Sequence, residues 1–340
     1  MSIFAEELCR WYEENKRDLP WRKTNDPYAI WVSEIMLQQT RVEAVKPYYE
    51  RFLSAFPTIE ALANADEEIL NKLWQGLGYY SRARNMQKAA KDCVLRFGGK
   101  LPEDPKNLKS LCGIGDYTAG AIASFAYGVP TPAVDGNVQR VLARCLLIEE
   151  ICNSPEALKK MKAFIQSEIP KDKPGVFNQA LIELGATVCG PDREARCGGC
   201  PLLRFCKAFK EGRTEELPAR KAKKERRVEE YTPFILLFED SAALEKRPGK
   251  GLLAGLWQPP MRDGFLDEAA ARAYIEENGG EILEIASLPE ATHIFTHIVW
   301  RMRGYLARLS AKGNFSLYTK EERAARALPS AFKAYKEWLS

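Results

Sequence analysis

Four cysteines fall close together as C-x7-C-x2-C-x5-C: Cys189, Cys197, Cys200 and Cys206. Four thiolates in one short loop can wrap one metal centre, and the Cys-x2-Cys pair lets two sulfurs reach the same centre. A zinc ion and a 4Fe–4S cluster are the two options. Zinc sites usually bring two short-spaced pairs, and only one spacing is short here, so the pattern favours the cluster. Arg193, Arg196, Arg204 and Lys207 lie in or beside the loop, a composition that suits a centre fixing a basic loop against phosphates. Cys9, Cys93, Cys112, Cys145 and Cys152 are scattered and read as core thiols.

Two carboxylates could do bond-breaking chemistry. Glu34 lies in IWVSEIMLQQT with Trp31 at i−3, Ile35 beside it and Gln38 at i+4. A glutamate among apolar neighbours has a raised pKa and can hold a proton. Asp135 lies in VDGNV, which alone is turn and helix-cap chemistry; at a helix N-terminus it is expected to stay ionised. Cleaving an N-glycosidic bond asks for both: an acid to protonate the leaving base and a carboxylate to stabilise an oxocarbenium-like sugar. Between them, LKSLCGIGDYTAG has the look of two helices meeting at Gly113-Ile114-Gly115. Its glycines allow a tight turn whose amides can meet a phosphate without reading sequence.

The elements that must position these groups are legible in the same way. The chain has 340 residues, 46% hydrophobic and 28% charged, with net charge +4. That suits two or three globular domains and decides nothing about nucleic acid. No run of about 18 apolar residues is present, and the amphipathic start MSIFAEELCRWYEEN reads as a helix and not a signal peptide. Helical periodicity predicts helices over 28–41, with Asp26 as cap and Pro27 in the first turn, and near 43–55, 59–63, 66–75, 81–97, 116–127, 137–145, 155–168 and 175–187. A basic stretch, 213–228, follows. Beyond it YTPFILLFE (231–239) and HIFTHIVWRMRGYLARL (293–309) alternate as strands, with helices at 267–278 and 330–339. His293 and His297, four apart on a strand, would stand about 13 Å apart, too far to share a metal.

Several segments together resemble the adenine DNA glycosylases, within the helix-hairpin-helix glycosylase group whose other iron–sulfur branch is endonuclease III. They are LPWR (19–22), PYAIWVSEIMLQQT (27–40), WQGLGYYSRARN (74–85), LCGIGDYTAGAI (111–122 with Leu111), VDGNVQRVLAR (134–144), FNQALIELGA (177–186) and the four cysteines. The resemblance implies a multidomain protein: an all-α helix-hairpin-helix glycosylase domain with an iron–sulfur loop, plus an α+β Nudix-like domain. Its expected boundaries are 1–212 for the first (hairpin subdomain about 26–134, cluster subdomain 1–25 plus 135–212), 213–228 for the linker and 229–340 for the second. It implies a monofunctional enzyme that removes adenine opposite 8-oxoguanine or guanine in double-stranded DNA. Glu34 would protonate adenine at N7 and Asp135 stabilise the cation, assisted by Tyr117 and Asn137. Arg22, Leu37 and Gln179 would line the adenine pocket. Gln39, Thr40 and Tyr79 would enter the duplex, and Gly113 and Gly115 would hold phosphate. A 4Fe–4S cluster is the implied cofactor. The expected setting is the cytoplasm, on the nucleoid, as a monomer with no membrane partner.

The C-terminal region resembles the Nudix fold that reads 8-oxoguanine in this family, with Phe295-Thr296-His297 as the reading loop. The hydrolase motif of that fold is broken: only Arg272 survives, and the positions for the paired metal-binding glutamates hold Ala273 and Gly264. Three departures from the family pattern stand out: a first cysteine gap of seven residues in place of six, Cys112 in place of proline, and Thr296 in place of serine. Tyr117 stands where the lyase branch has its Schiff-base lysine. The rival readings are an endonuclease III-like glycosylase/lyase, a non-enzymatic iron–sulfur DNA-binding module, and a nucleotide hydrolase centred on the C-terminal region.

Overall fold

The computed structural model describes residues 1–191, 195–221 and 225–339; Arg193, Lys223 and Lys224 lie outside the described residues. Up to Lys210 the described chain is mostly helical: α1 (Ile3–Asn15), α2 (Pro27–Met36), α3 (Val42–Ala55), α4 (Ile59–Ala63), α5 (Glu67–Trp74), α6 (Ser81–Phe97), α7 (Pro105–Lys109), α8 (Asp116–Ala126), α9 (Gly136–Leu146), α10 (Pro155–Glu168), α11 (Pro174–Thr187) and α12 (Lys207–Lys210). Strands follow: β1 (Arg227–Phe238), β2 (Ser241–Ala243), β3 (Glu245–Lys246), β4 (Trp257–Gln258), β5 (Met261–Asp263), then α13 (Glu268–Glu277), β6 (Gly280–Ser287), β7 (Ala291–Ile294), β8 (Ile298–Met302), β9 (Tyr305–Lys312), β10 (Leu317–Tyr318), α14 (Lys320–Ala325) and α15 (Lys336–Leu339).

The chain divides into two compact units, Met1–Asn64 with Arg84–Ala222, and Ala65–Ala83 with Lys223–Ser340. The expected helical domain ran unbroken from 1 to 212, so the assignment of 65–83 to the C-terminal unit differs from it. Side-chain contacts hold this segment there: Trp257 Nε1 donates to Glu68 Oε2 at 2.8 Å, Lys246 pairs with Glu68, and Gln75 Nε2 donates to the Leu328 carbonyl. Nothing in the amphipathic pattern of α5 distinguishes one apolar partner from another. The expected linker, 213–228, also gives up its last two residues to β1.

In the helical unit α1 turns Phe4, Leu8 and Tyr12 inward at i, i+4, i+8 against Phe177, Leu181 and Leu184 of α11. α9 and α10 close the same core. α2 is apolar all round and buried along its length from Tyr28, with Asp26 accepting from the Tyr28 amide and Pro27 at its first position. α8 packs on it through small residues; a Cβ on Gly120 would stand 2.1 Å from the Pro132 carbonyl oxygen.

α2 ends at Met36, five residues before the predicted end. Gln39 takes a left-handed φ of 57°, which no α-helix accommodates, and residues 37–40 form a turn. In the sheet unit β1 is central. Its first half pairs parallel with β8 and antiparallel with β5, its second half parallel with β9 and antiparallel with β2. α13 covers one face and Ala331, Phe332, Tyr335 and Leu339 the other, the layered arrangement of an α+β Nudix-like domain. The β-alternating segment 293–309 is divided among three strands. β7 and β8 pair antiparallel through a tight turn at 295–297, so His293 and His297 share no strand. The 330–339 helix begins as a 3₁₀ turn over Ser330–Tyr335.

Candidate active site

Glu34 sits on the third turn of α2 with 7% of its surface exposed. Tyr117, from the first turn of α8, donates its hydroxyl to Glu34 Oε2 at 2.6 Å. Burial pushes the Glu34 carboxyl up to about 7; the Tyr117 hydrogen bond and Arg22 oppose that rise, while Asp135 adds to it. The group therefore exchanges its proton near neutral pH, as a general acid must. The phenol of Tyr117 is driven the other way from use as a base, well above its ordinary value by burial and by the two carboxylates.

Asp135 caps α9. Its Oδ1 accepts from the Val138 amide at 2.8 Å and its Oδ2 from Asn137 Nδ2 at 2.7 Å. Asn137 Oδ1 in turn accepts from Arg140 Nη2 at 3.0 Å, and Arg140 reaches the carbonyls of Gly185 and Cys189, each at 2.6 Å. Two donors on two oxygens suit a carboxylate. Burial nevertheless raises the Asp135 pKa from its ordinary value, while the Val138 and Asn137 donors and Arg140 oppose the rise.

One cavity of about 660 Å³ gathers these groups: Glu34, Tyr117, Asp135 and Asn137 line it, and so do Arg22, Leu37 and Gln179. Gln39 and Thr40, on the turn that ends α2, line it as well. Gly113 and Gly115 do not. They form the α7–α8 connection, Gly113 at φ +80° with its missing Cβ directed at Asn85 Cβ 2.9 Å away, and Gly115 as the N-cap of α8 with open space before it. In the sheet unit, Phe295-Thr296-His297 is the β7–β8 turn, closed by the Phe295 amide on the Ile298 carbonyl. The Phe295 ring packs edge-on against Trp300, and Thr296 Oγ1 is 2.8 Å from the hydroxyl of Tyr79, which holds a left-handed φ of 48°.

The four clustered cysteines share a second, small apolar cavity with Val141, Arg144, Cys145, Leu184 and Leu203. Cys189 follows α11, Cys197 opens a 3₁₀ turn, and Cys206 is the N-cap of α12. The Cys206 sulfur accepts from the amides of Ala208 and Phe209 and the Cys200 sulfur from that of Leu202. Arg144 Nη1 donates to Cys189 Sγ at 3.3 Å. Donors aimed at sulfur are what thiolate ligands need. Among the described residues no three His, Cys, Asp or Glu gather at the spacing of a single ion.

Residues 32–167 match the family described as HhH-GPD superfamily base excision DNA repair protein, and 233–338 match the NUDIX domain. The rat adenine DNA glycosylase is 36% identical over 88% of this chain and 69% of its own length. The adenine DNA glycosylase of Buchnera aphidicola subsp. Baizongia pistaciae is 35% identical over 87% of this chain and 83% of its own. The chain belongs to the adenine DNA glycosylases. Among solved structures, a thermostable thymine-DNA glycosylase superposes with TM-score 0.56 at 26% identity, covering 62% of this chain and 96% of that one. An endonuclease III–DNA covalent intermediate shares the fold with TM-score 0.53 at 24% identity over 61% and 94%.

An adenine DNA glycosylase hydrolyses an N-glycosidic bond in base-excision repair. Sequence reading passed over three of the site's fixtures. Glu183 is fully buried and binds both Arg17 and Arg22; its position four residues after Gln179 on α11 was the available signal. Arg140 lies three residues after Asn137, on the same face of α9. Gly185 is the third. A Cβ there would stand 2.6 Å from Asn137 Cβ and 2.8 Å from its carbonyl oxygen. Gly185→Ala should therefore push the start of α9 off α11, at about 1–3 kcal/mol of overpacking. We expect a lower urea midpoint together with a slower single-turnover rate; a normal rate would show that the Asp135–Asn137 pair tolerates the shift.

Proposed function

We propose that this adenine DNA glycosylase acts on adenine opposite 8-oxoguanine or guanine, as a monofunctional enzyme, with Glu34 and Asp135 as its catalytic pair. The observation that carries this reading is one cavity lined by a carboxyl poised near pH 7 and a hydrogen-bonded carboxylate. Amides at Gly113–Gly115 anchor a phosphate, Gln39, Thr40 and Tyr79 enter the duplex, and the adenine leaves the stack. Flipping costs a few kcal/mol, less at a mispair. Arg22, Leu37 and Gln179 enclose the base. Glu34 protonates N7, so that adenine departs neutral, and Asp135 stabilises the positive sugar while water attacks, leaving an abasic site. Tyr117 orients Glu34 and Asn137 orients Asp135. Tyr117 has no amine, so no Schiff base forms at this position.

Cys189, Cys197, Cys200 and Cys206 would hold a 4Fe–4S cluster, whose chemistry when bound is to cross-link the loop into a fixed shape. In the C-terminal domain Phe295, Thr296 and His297 would read the base opposite adenine, and Ala273 and Gly264 leave no carboxylates for pyrophosphate hydrolysis. A labelled-duplex assay tests the reading. Adenine should be released opposite 8-oxoguanine and opposite guanine, with strand cleavage only after alkali and no borohydride-trapped adduct. Release from a damaged-pyrimidine duplex with trapping would favour the endonuclease III-like glycosylase/lyase, and tight binding without any release would favour a non-enzymatic module.

A further inference from the structure

Cys145 reads from the sequence as an isolated core thiol, and the structure places it elsewhere. It lies on the last turn of α9, 6% exposed, in the wall of the cavity lined by Cys189, Cys197, Cys200 and Cys206. Val141, Arg144 and Cys145 present one face of α9 to that cavity by i, i+3, i+4 spacing. α9 packs on α12 there, and Cys206 is the N-cap of α12, so Cys145 and Cys206 face the same small cavity from adjoining helices. Cys9, Cys93, Cys112 and Cys152 line no part of this cavity. The site is thus built from five thiols, where a 4Fe–4S cluster uses four.

We propose that Cys145 is a fifth cysteine of the cluster site, serving as iron ligand in place of Cys206 when Cys206 is lost. The inference rests on the cluster assignment above. The substitution is a ligand exchange without electron transfer: an iron–sulfur bond forms at Cys145 where the one to Cys206 is missing, and the thiol proton passes to water. Among the other wall residues, Val141, Leu184, Val188 and Leu203 have no ligating atom, Thr214 offers only a neutral hydroxyl, a weaker ligand for iron than a thiolate, and Arg144 is already committed to Cys189 and to the Gly190 and Leu217 carbonyls.

The test compares iron and acid-labile sulfide per chain, with the visible absorption spectrum, in the full-length protein purified without oxygen. Cys206→Ser should retain most of the wild-type iron, and Cys206→Ser/Cys145→Ser should lose nearly all of it. A Cys206→Ser chain as empty as the double variant, or recovered only as insoluble apoprotein, overturns the substitution. Cys145→Val alone keeps the four clustered cysteines and should keep the wild-type iron and sulfide; a cluster lost in this variant would show that Cys145 is needed even with Cys206 in place and overturns its role as a reserve ligand. Wild-type protein without iron or sulfide would sink the cluster assignment itself, a result distinct from either.

Discussion

Glu34→Gln is expected to leave DNA binding intact and to remove base release almost entirely. The glutamine keeps the shape of the side chain and can still accept from Tyr117, but it has no proton to give to the leaving adenine. General acid catalysis typically contributes roughly 10²–10⁴-fold, so single-turnover release should fall by at least that factor. Wild-type kcat/KM should decline as pH rises through about 7, where the acid form of Glu34 disappears. A variant that still turns over, or a wild-type rate flat from pH 6 to 9, would end the assignment of Glu34 as the acid.

The same substitution carries a stability signature of known sign. A carboxyl whose folded pKa lies above its unfolded value is neutral in both states at low pH. As pH rises past 4.5 the unfolded chain ionises first, and stability is lost until the folded group also ionises near 7. A rise from 4.5 to about 7 corresponds to about 3 kcal/mol for this buried group. Glu34→Gln should therefore be more stable than wild type at pH 8, and the difference should shrink toward pH 5. Denaturant titrations of both proteins at the two pH values measure it. A glutamate held at such a cost on a helix with Ile30, Trp31 and Ile35 is the kind of stability sacrifice that functional sites make.

Much of the site was legible because its chemistry is local. The Asp135 cap, the glycine turn and the cysteine spacing are each written within a few consecutive residues, and the helices that carry them follow from periodicity. What was illegible depends on approach between distant segments. The Tyr117–Glu34 hydrogen bond joins α8 to α2, and no pattern within either helix reports it. The helix expected to run to 41 ends at Met36; MLQQT is acceptable in a helix, and nothing in those residue types announces the left-handed Gln39. For Asp135 the helix end is visible in the sequence and the burial that raises its pKa is not. Cys145 had no cysteine within hydrogen-bonding sequence distance, and only the packing of α9 on α12 brings Cys206 to it. The assignment of 65–83 to the sheet unit rests on Glu68 and Gln75, which read in sequence as ordinary polar residues of a surface helix.

Replacing Glu183 should have the largest effect on stability. Its Oε1 accepts from the Arg17 amide and Nε, and its Oε2 from Arg17 Nη2 and Arg22 Nη2, all at 2.6–3.1 Å, with the carboxylate fully buried. Burial alone would raise its pKa; the Arg17 and Arg22 hydrogen bonds outweigh that and hold it at about 2. Glu183→Ala leaves the half-buried guanidinium of Arg22 without its counter-charge, and breaking such a pair costs about 3–5 kcal/mol. The damage should reach the base pocket. Arg22 lies over the Tyr12 ring, and the Tyr12 hydroxyl donates to Gln179 Oε1 at 3.0 Å, so one buried carboxylate positions two of the residues proposed to hold adenine. KM should rise more than kcat falls, because Glu34 and Asp135 keep their own partners. The pH dependence runs opposite to that of Glu34. A depressed carboxyl stabilises above its unfolded pKa of about 4.5, and that contribution is lost as pH falls toward 2. Glu183→Gln should flatten the acid limb of the unfolding curve in this window. An unchanged urea midpoint in Glu183→Ala would show that Arg17 and Arg22 find other partners at no cost, and that the base pocket is held by something other than this carboxylate.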